Sequence, residues 1–272
     1  MSDGPRPWQL LDAGFARLAA SGYRDAAWFY AGALPFCTAF LWAWTRFASR
    51  HATSAAYLQA GLLLSLLYTW KSYCSCRFLE RLLPAPSTSS ATLRGLQAAG
   101  AGALWLLACL ASLLALFWST ATVYVAAAYF PLELRAADAP RPLRTAVAGA
   151  FRASFDWYLE QQLFALHCLL IAGVVAANLA LTAVAAPQLL ARLLGLRTLW
   201  ADIPVSRLLL NSGLWVALVL LTYLLLGPAV QAAIVVSYEH QRSRRTGDDL
   251  RLELERLERL QAAASVIEEI AG

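Results

Sequence analysis

Apolar positions in this chain come in long uninterrupted runs, separated by short clusters of arginine and acid. Residues 26–45, 52–70, 95–132, 161–191 and 208–238 contain no Asp, Glu, Lys or Arg. A helix needs about 20 apolar residues to cross the roughly 30 Å hydrocarbon core of a bilayer. The pattern therefore predicts an all-α fold, a polytopic transmembrane helical bundle. The run over 95–132 is 38 residues long, nearly twice one crossing, and how it crosses fixes the topology. Crossing once, it gives five spans. Folded as a hairpin of two short helices over 95–112 and 115–132, it gives six. A single helix that bends and continues along the surface is an intermediate arrangement.

Basic side chains in short loops favour the cytoplasmic side, so the 22 Lys and Arg residues choose between these topologies. Six spans put 17 of them inside and leave five outside, Arg46, Arg50, Arg192, Arg197 and Arg207. Five spans split them 10 to 12. The expected organisation is a transmembrane domain over 1–238, with spans near 26–45, 52–70, 95–112, 115–132, 161–186 and 208–238, and a cytoplasmic charged helical tail over 239–272. Both termini then face the cytoplasm.

Details within the runs refine the picture. Trp28, Tyr30, Trp42 and Trp44 flank the first span at interfacial positions, and Pro35 in its middle predicts a kink. Lys71 follows the second span directly, where its long stem would snorkel to the headgroups. Residues 71–94 then read as a basic hydrophilic loop, and 187–207 as an outer interfacial helix and loop. Gly227-Pro228 predicts a break in the last span.

Three segments have the spacing of amphipathic surface helices. Over 8–18, Trp8, Leu11, Phe15 and Leu18 share a face, for which packing against the bundle is the alternative to lying on the membrane. Over 141–158, Leu143, Val147, Phe151 and Phe155 recur every four residues beside Arg141, Arg144 and Arg152, the candidate lipid-headgroup contacts; each Arg near anionic lipid is worth about 1 kcal/mol. In the tail, Thr246-Gly247-Asp248-Asp249 supplies a helix cap and acidic first turn. Leu250, Leu254 and Leu257 then start a heptad-like seam, the candidate docking surface for a protein partner.

Composition excludes more than it identifies. With 60% hydrophobic and 14% charged residues, the chain is far from the soluble average. One Lys and one Met against many Ala, Leu and Arg fit a high-GC bacterium, making the inner membrane the default location. The first 25 residues hold three Asp and lack the apolar core of a cleavable signal. Five cysteines lie in or beside apolar runs, where Cys is a small hydrophobe; Cys74-Ser75-Cys76 lacks metal or redox spacing. Polar residues inside the runs are His167, Gln161, Gln162, Asn178, Asn211, Thr222 and Gln231, sufficiently explained as interhelical hydrogen bonds. No phosphate loop, HExxH or GxSxG is present. No enzyme activity, cofactor, metal or nucleic-acid partner is expected. The function expected is an envelope scaffold or accessory subunit, with a transporter or channel for a lipid or apolar solute as the alternative.

The order Leu10-Leu11-Asp12-Ala13-Gly14-Phe15, then Val123-Tyr124-Val125-Ala126 within a long apolar run, then a basic segment, resembles bacterial proteins related to the membrane domain of glycerophosphoryl diester phosphodiesterases. Leu209-Leu210-Asn211-Ser212, Leu221-Thr222-Tyr223-Leu224, Gly227-Pro228 and Thr246-Gly247-Asp248-Asp249-Leu250 are similar to the C-terminal signature of one branch of them. The likeness covers most of the chain loosely and 190–252 more closely. It implies a six-helix membrane module. The catalytic phosphodiesterase domain has no counterpart in this chain, so the resemblance carries over no active-site residue.

Overall fold

A computed structural model of the chain describes residues 6–21, 23–48, 53–83, 117–136, 143–194, 206–207 and 210–247. Seven helices make up the elements of the described residues: α1 (Pro7–Ser21), α2 (Tyr23–Ala48), α3 (Ser54–Leu82), α4 (Phe117–Ala136), α5 (Leu143–Asp156), α6 (Tyr158–Leu194) and α7 (Ser212–Thr246). Three of them contain stretches long and apolar enough to cross a membrane: Asp25–Ala48, Tyr158–Leu190 and Ser212–Arg244. The expected helix over 95–112, Arg141 and the seam Leu250, Leu254 and Leu257 lie outside the described residues.

Several helices run further than the hydrophobic runs suggest. Helix α3 does not end at residue 70 in a basic loop; it continues to Leu82, and Leu83 turns extended in front of Pro84, as the residue before proline prefers. Helix α6 passes through Pro187 to Leu194, and α7 passes through Gly227-Pro228 to Thr246. A proline removes one donor and frees one carbonyl, and the flanking turns hold each helix together across it. Gly247 then stops α7 in the left-handed conformation (φ 72°), its N–H reaching the Ser243 carbonyl. Thr246-Gly247 thus ends α7, and the acidic turn expected at Asp248-Asp249 lies outside the described residues.

Two of the expected apolar faces are rotated. In α1 the buried residues are Leu10, Leu11 and Gly14, while Trp8 and Phe15 are exposed. Helix α1 packs on α7 so closely that a Cβ at Gly14 would lie 2.7 Å from the Ala233 backbone nitrogen. In α5 the stripe Ala146, Ala150 and Ala153 is buried in the packing against α4, and Phe155 points outward. Small side chains let helix backbones approach and gain dispersion contacts, which drives association in lipid where hydrophobicity does not. Helices α2 and α3 lie alongside each other with a similar close approach at Gly32, whose Cβ would meet Cys74 Cβ at 2.7 Å. The core of the bundle collects Phe29, Phe78, Tyr129, Phe130, Ile234 and Val235.

Charged contacts gather at one end. Arg17 of α1 donates from Nε to the carbonyl of Leu82, the last residue of α3, at 2.9 Å, and pairs through its guanidinium with Glu239 near the end of α7. One side chain therefore satisfies an orphan helix-terminal carbonyl and ties three helices together. Beside it, Arg81 of α3 meets Asp25 in the first turn of α2 at 3.1 Å. The opposite end is marked by Trp44 of α2, whose indole N–H donates to Ser212 Oγ at 3.3 Å.

Candidate functional site

Between these two ends α2, α3 and α7 enclose the chain's only lysine. Pro35 starts the local arrangement. Lacking an N–H, it leaves the carbonyl of Ala31, four residues back, without its helical donor. The Trp70 indole of α3 fills that role, donating to Ala31 O at 3.1 Å. Gly32, on the next position of α2, removes the Cβ that would block α3, since it would lie 3.0 Å from Lys71 Cα. Trp70 and Gly32 together hold the α3 backbone against α2 and aim Lys71 between the helices.

The Lys71 ammonium lies 4.7 Å from the centre of the Phe36 ring, 4.5 Å from that of Tyr223 and 5.7 Å from that of Tyr68. No carboxylate contacts it among the described residues. Phe36 is eleven residues past Asp25 and twelve before Ala48, so at 1.5 Å per residue its backbone sits about 16–18 Å from the ends of that stretch, with the ammonium beside its ring. Lys71 is therefore not at a helix end with its stem reaching outward; it lies near mid-height of the bundle. A lysine at the centre of a membrane helix costs about 2.5–3.5 kcal/mol. One desolvated cation–π contact returns about 2 kcal/mol or more. Helix α3 is not among the three candidate spans; beside α2 within a bilayer, the three rings would offset most of that cost without supplying a counter-charge. Lys71, Phe36, Tyr68 and Tyr223 are each only partly buried as residues.

A polar lane continues from the lysine toward the charged end. Ser75 is one turn further along α3 and accepts a long hydrogen bond, 3.5 Å, from the Gln231 amide of α7. Gln231 is buried, and its Oε1 has no hydrogen-bond partner. Further along, Gln241 donates to the Tyr129 hydroxyl at 3.0 Å, which is 3.0 Å from Ser237 Oγ. Beside this network a cavity of about 10 Å³, lined by Leu10, Tyr129, Trp157, Gln161, Phe164 and Ser237, has room for about one water. The Gln161 amide at its wall makes no hydrogen bond.

Of the polar residues within the apolar runs, Gln162 and Gln231 make interhelical bonds, Gln162 to Thr122 at 3.0 Å. His167, Asn178 and Thr222 instead bond carbonyls four residues back in their own helices, and Asn211 caps α7. Interhelical bonding is therefore not their explanation. Arg144 and Arg152 project into the surroundings from α5, apart from the lysine site. Among the described residues no group of three His, Cys, Asp or Glu side chains is placed to hold a metal ion. The sequence carried one signal for the site, the absence of any Gly or Pro between Gly61 and Pro84; the charges from Lys71 to Arg81 hid the continuing helix. Comparison with protein-family models, curated proteins and solved structures finds no match to this chain.

Proposed function

We propose that the chain is a six-span protein of the bacterial inner membrane, with both termini cytoplasmic, acting as a non-enzymatic scaffold or accessory subunit of an envelope system. The observation that carries this reading is α6. None of the most apolar window of Tyr158–Leu190 is buried within the bundle, and Leu166, Leu170, Val174 and Leu181 are among its exposed residues. Helices in lipid associate by packing, so a span this free of packing offers its surface to the spans of another membrane protein. The arginine-rich end, with Arg17, Arg81 and Arg242, supports placing the termini in the cytoplasm. The α5 arginines Arg144 and Arg152, with Arg141, would face lipid headgroups on that side, α1 and α5 lying along the interface.

Lys71 favours a second reading. An ionisable residue inside a membrane bundle is by default a functional-site hypothesis, and it fits a protein that binds or carries an apolar solute.

Topology is tested with single-cysteine reporters at Ser54, Ala137 and Ala201 in a Cys-free background in intact cells. Labelling of Ser54 and Ala201 with Ala137 protected is the expected result; labelling of Ala137 alongside Ser54, with Ala201 protected, would mean five spans. For the accessory role, photocrosslinkers at Leu170 and Val174 should capture a discrete membrane protein. Capture of lipid alone, from a protein that runs as a monomer, would remove it.

A further inference from the structure

We infer that the Lys71 recess binds the oxyanion head of a membrane-soluble amphiphile, a carboxylate or phosphate carried on an apolar chain. This rests on the multi-pass reading above and goes beyond it by naming a ligand class.

The charge is fixed by geometry. Lys71 is held between Gly32 and Tyr223, and three rings surround the ammonium without neutralising it. In a medium of low dielectric an unneutralised charge attracts an anion far more strongly than it would in water. The three rings lie within 6 Å of the ammonium, and the surface that Lys71, Phe36, Tyr68 and Tyr223 keep is where a ligand would approach. The lining decides the class of anion. A free inorganic anion shedding its water would meet one charge among mostly apolar surfaces, with the Cys37 thiol and the Tyr68 and Tyr223 side chains as the other polar groups near it. An amphiphile already dissolved in lipid brings an apolar chain that those same rings can cover. The Ser75 hydroxyl and the Gln231 amide N–H are the donors that lie from Lys71 toward the charged end, and they give the head a polar track to the interface.

The test uses the full chain in phosphatidylcholine nanodiscs with palmitate bearing a mid-chain diazirine, and crosslinked peptides are mapped by mass spectrometry. Labelling on α3 or α7 is expected, falling roughly tenfold or more in Lys71→Gln for loss of one charge-assisted contact, and largely retained in Lys71→Arg. Should Lys71→Gln fail to fold, competition on the unaltered protein decides. Oleate should displace the probe while oleyl alcohol does not, and competition by phosphatidylglycerol as well would identify a lipid headgroup as the source. Equal displacement by oleyl alcohol, or labelling unchanged in Lys71→Gln, would overturn the proposal. So would displacement by inorganic phosphate alone, which would assign the recess to a free ion. The cysteine reporters report on topology independently, so a misplaced membrane and an empty recess give different results.

Discussion

Helices α6 and α7 each contain a 33-residue stretch apolar enough to span a membrane, yet half of the α7 window is buried inside the bundle and none of the α6 window is. Apolarity is therefore not what decides position in this protein. The buried side of α7 carries Gly227, Ala229, Ala232 and Ala233, with Gln231, Ser237 and Gln241 among them. The outer part of α6 presents Leu and Val, and its Gly173 has open space around it. Lipid is as apolar as leucine, so burial by itself favours neither helix; the small residues of α7 let neighbouring backbones approach, and Ile234, Val235 and Tyr238 fill the space between them.

The sharpest way to break this comparison is to add bulk at one glycine on each side of it. Gly14→Leu would drive a side chain into the Ala233 backbone of α7 and force α1 off the bundle. The expected loss is about 3 kcal/mol, at the upper end for overpacking. A Cβ at Gly173 would meet nothing within 4 Å, so Gly173→Leu should stay within about 0.5 kcal/mol of the parent. Unfolding midpoints in a detergent and denaturant series compare the two. Equal losses would mean that α6 is packed after all.

The next effect is electrostatic. Arg17→Gln removes the bond to the Leu82 carbonyl and leaves Glu239 without its guanidinium. Both side chains are partly accessible, 23% and 33%, so water screens the loss and about 1–2 kcal/mol is expected. Exchanging the pair, Arg17→Glu with Glu239→Arg, should recover part of it. An unchanged midpoint for Arg17→Gln would show that the three-helix tie contributes nothing.

These contacts also mark what could be read in advance. Three of the apolar runs were legible from length and the absence of charge, and the three candidate spans fall on them; the run over 52–70 lies in α3, which is not among the candidates. Helix ends were not. Lys71, Arg77, Glu80 and Arg81 look like a loop when charge is taken to mean solvent, but Arg81 pairs with Asp25 and Arg77 with Glu80 at 3.3 Å. Charges that pair across or along helices let α3 continue. The lysine site was hidden for the same reason, since a residue placed at the end of a helix cannot be recognised as one at its middle. The packed faces of α1 and α5 have another cause. The repeats of large side chains in both segments marked an apolar face for the membrane surface, whereas Gly14 and the alanines of α5 occupy the contacts with the bundle because backbones must come close.

The smallest expected effect isolates polar groups from packing. Trp70→Phe keeps a ring but removes the donor to Ala31 O. The carbonyl freed by Pro35 is then unsatisfied in a region without water, and about 1 kcal/mol should be lost. On α6, Asn178 also bonds a carbonyl, that of Val174, but within its own helix and on an exposed surface. Val174 O keeps its helical donor, the Asn178 backbone N–H, when the side chain is replaced, so Asn178→Leu should change stability by less than about 0.5 kcal/mol. The same comparison in thermal midpoints separates two roles that hydropathy cannot: a polar atom that completes another helix, and one that only hides its own polarity. If Asn178→Leu proved the more damaging, the outer face of α6 would have to meet a polar partner, and the accessory reading would gain a specific contact at that position.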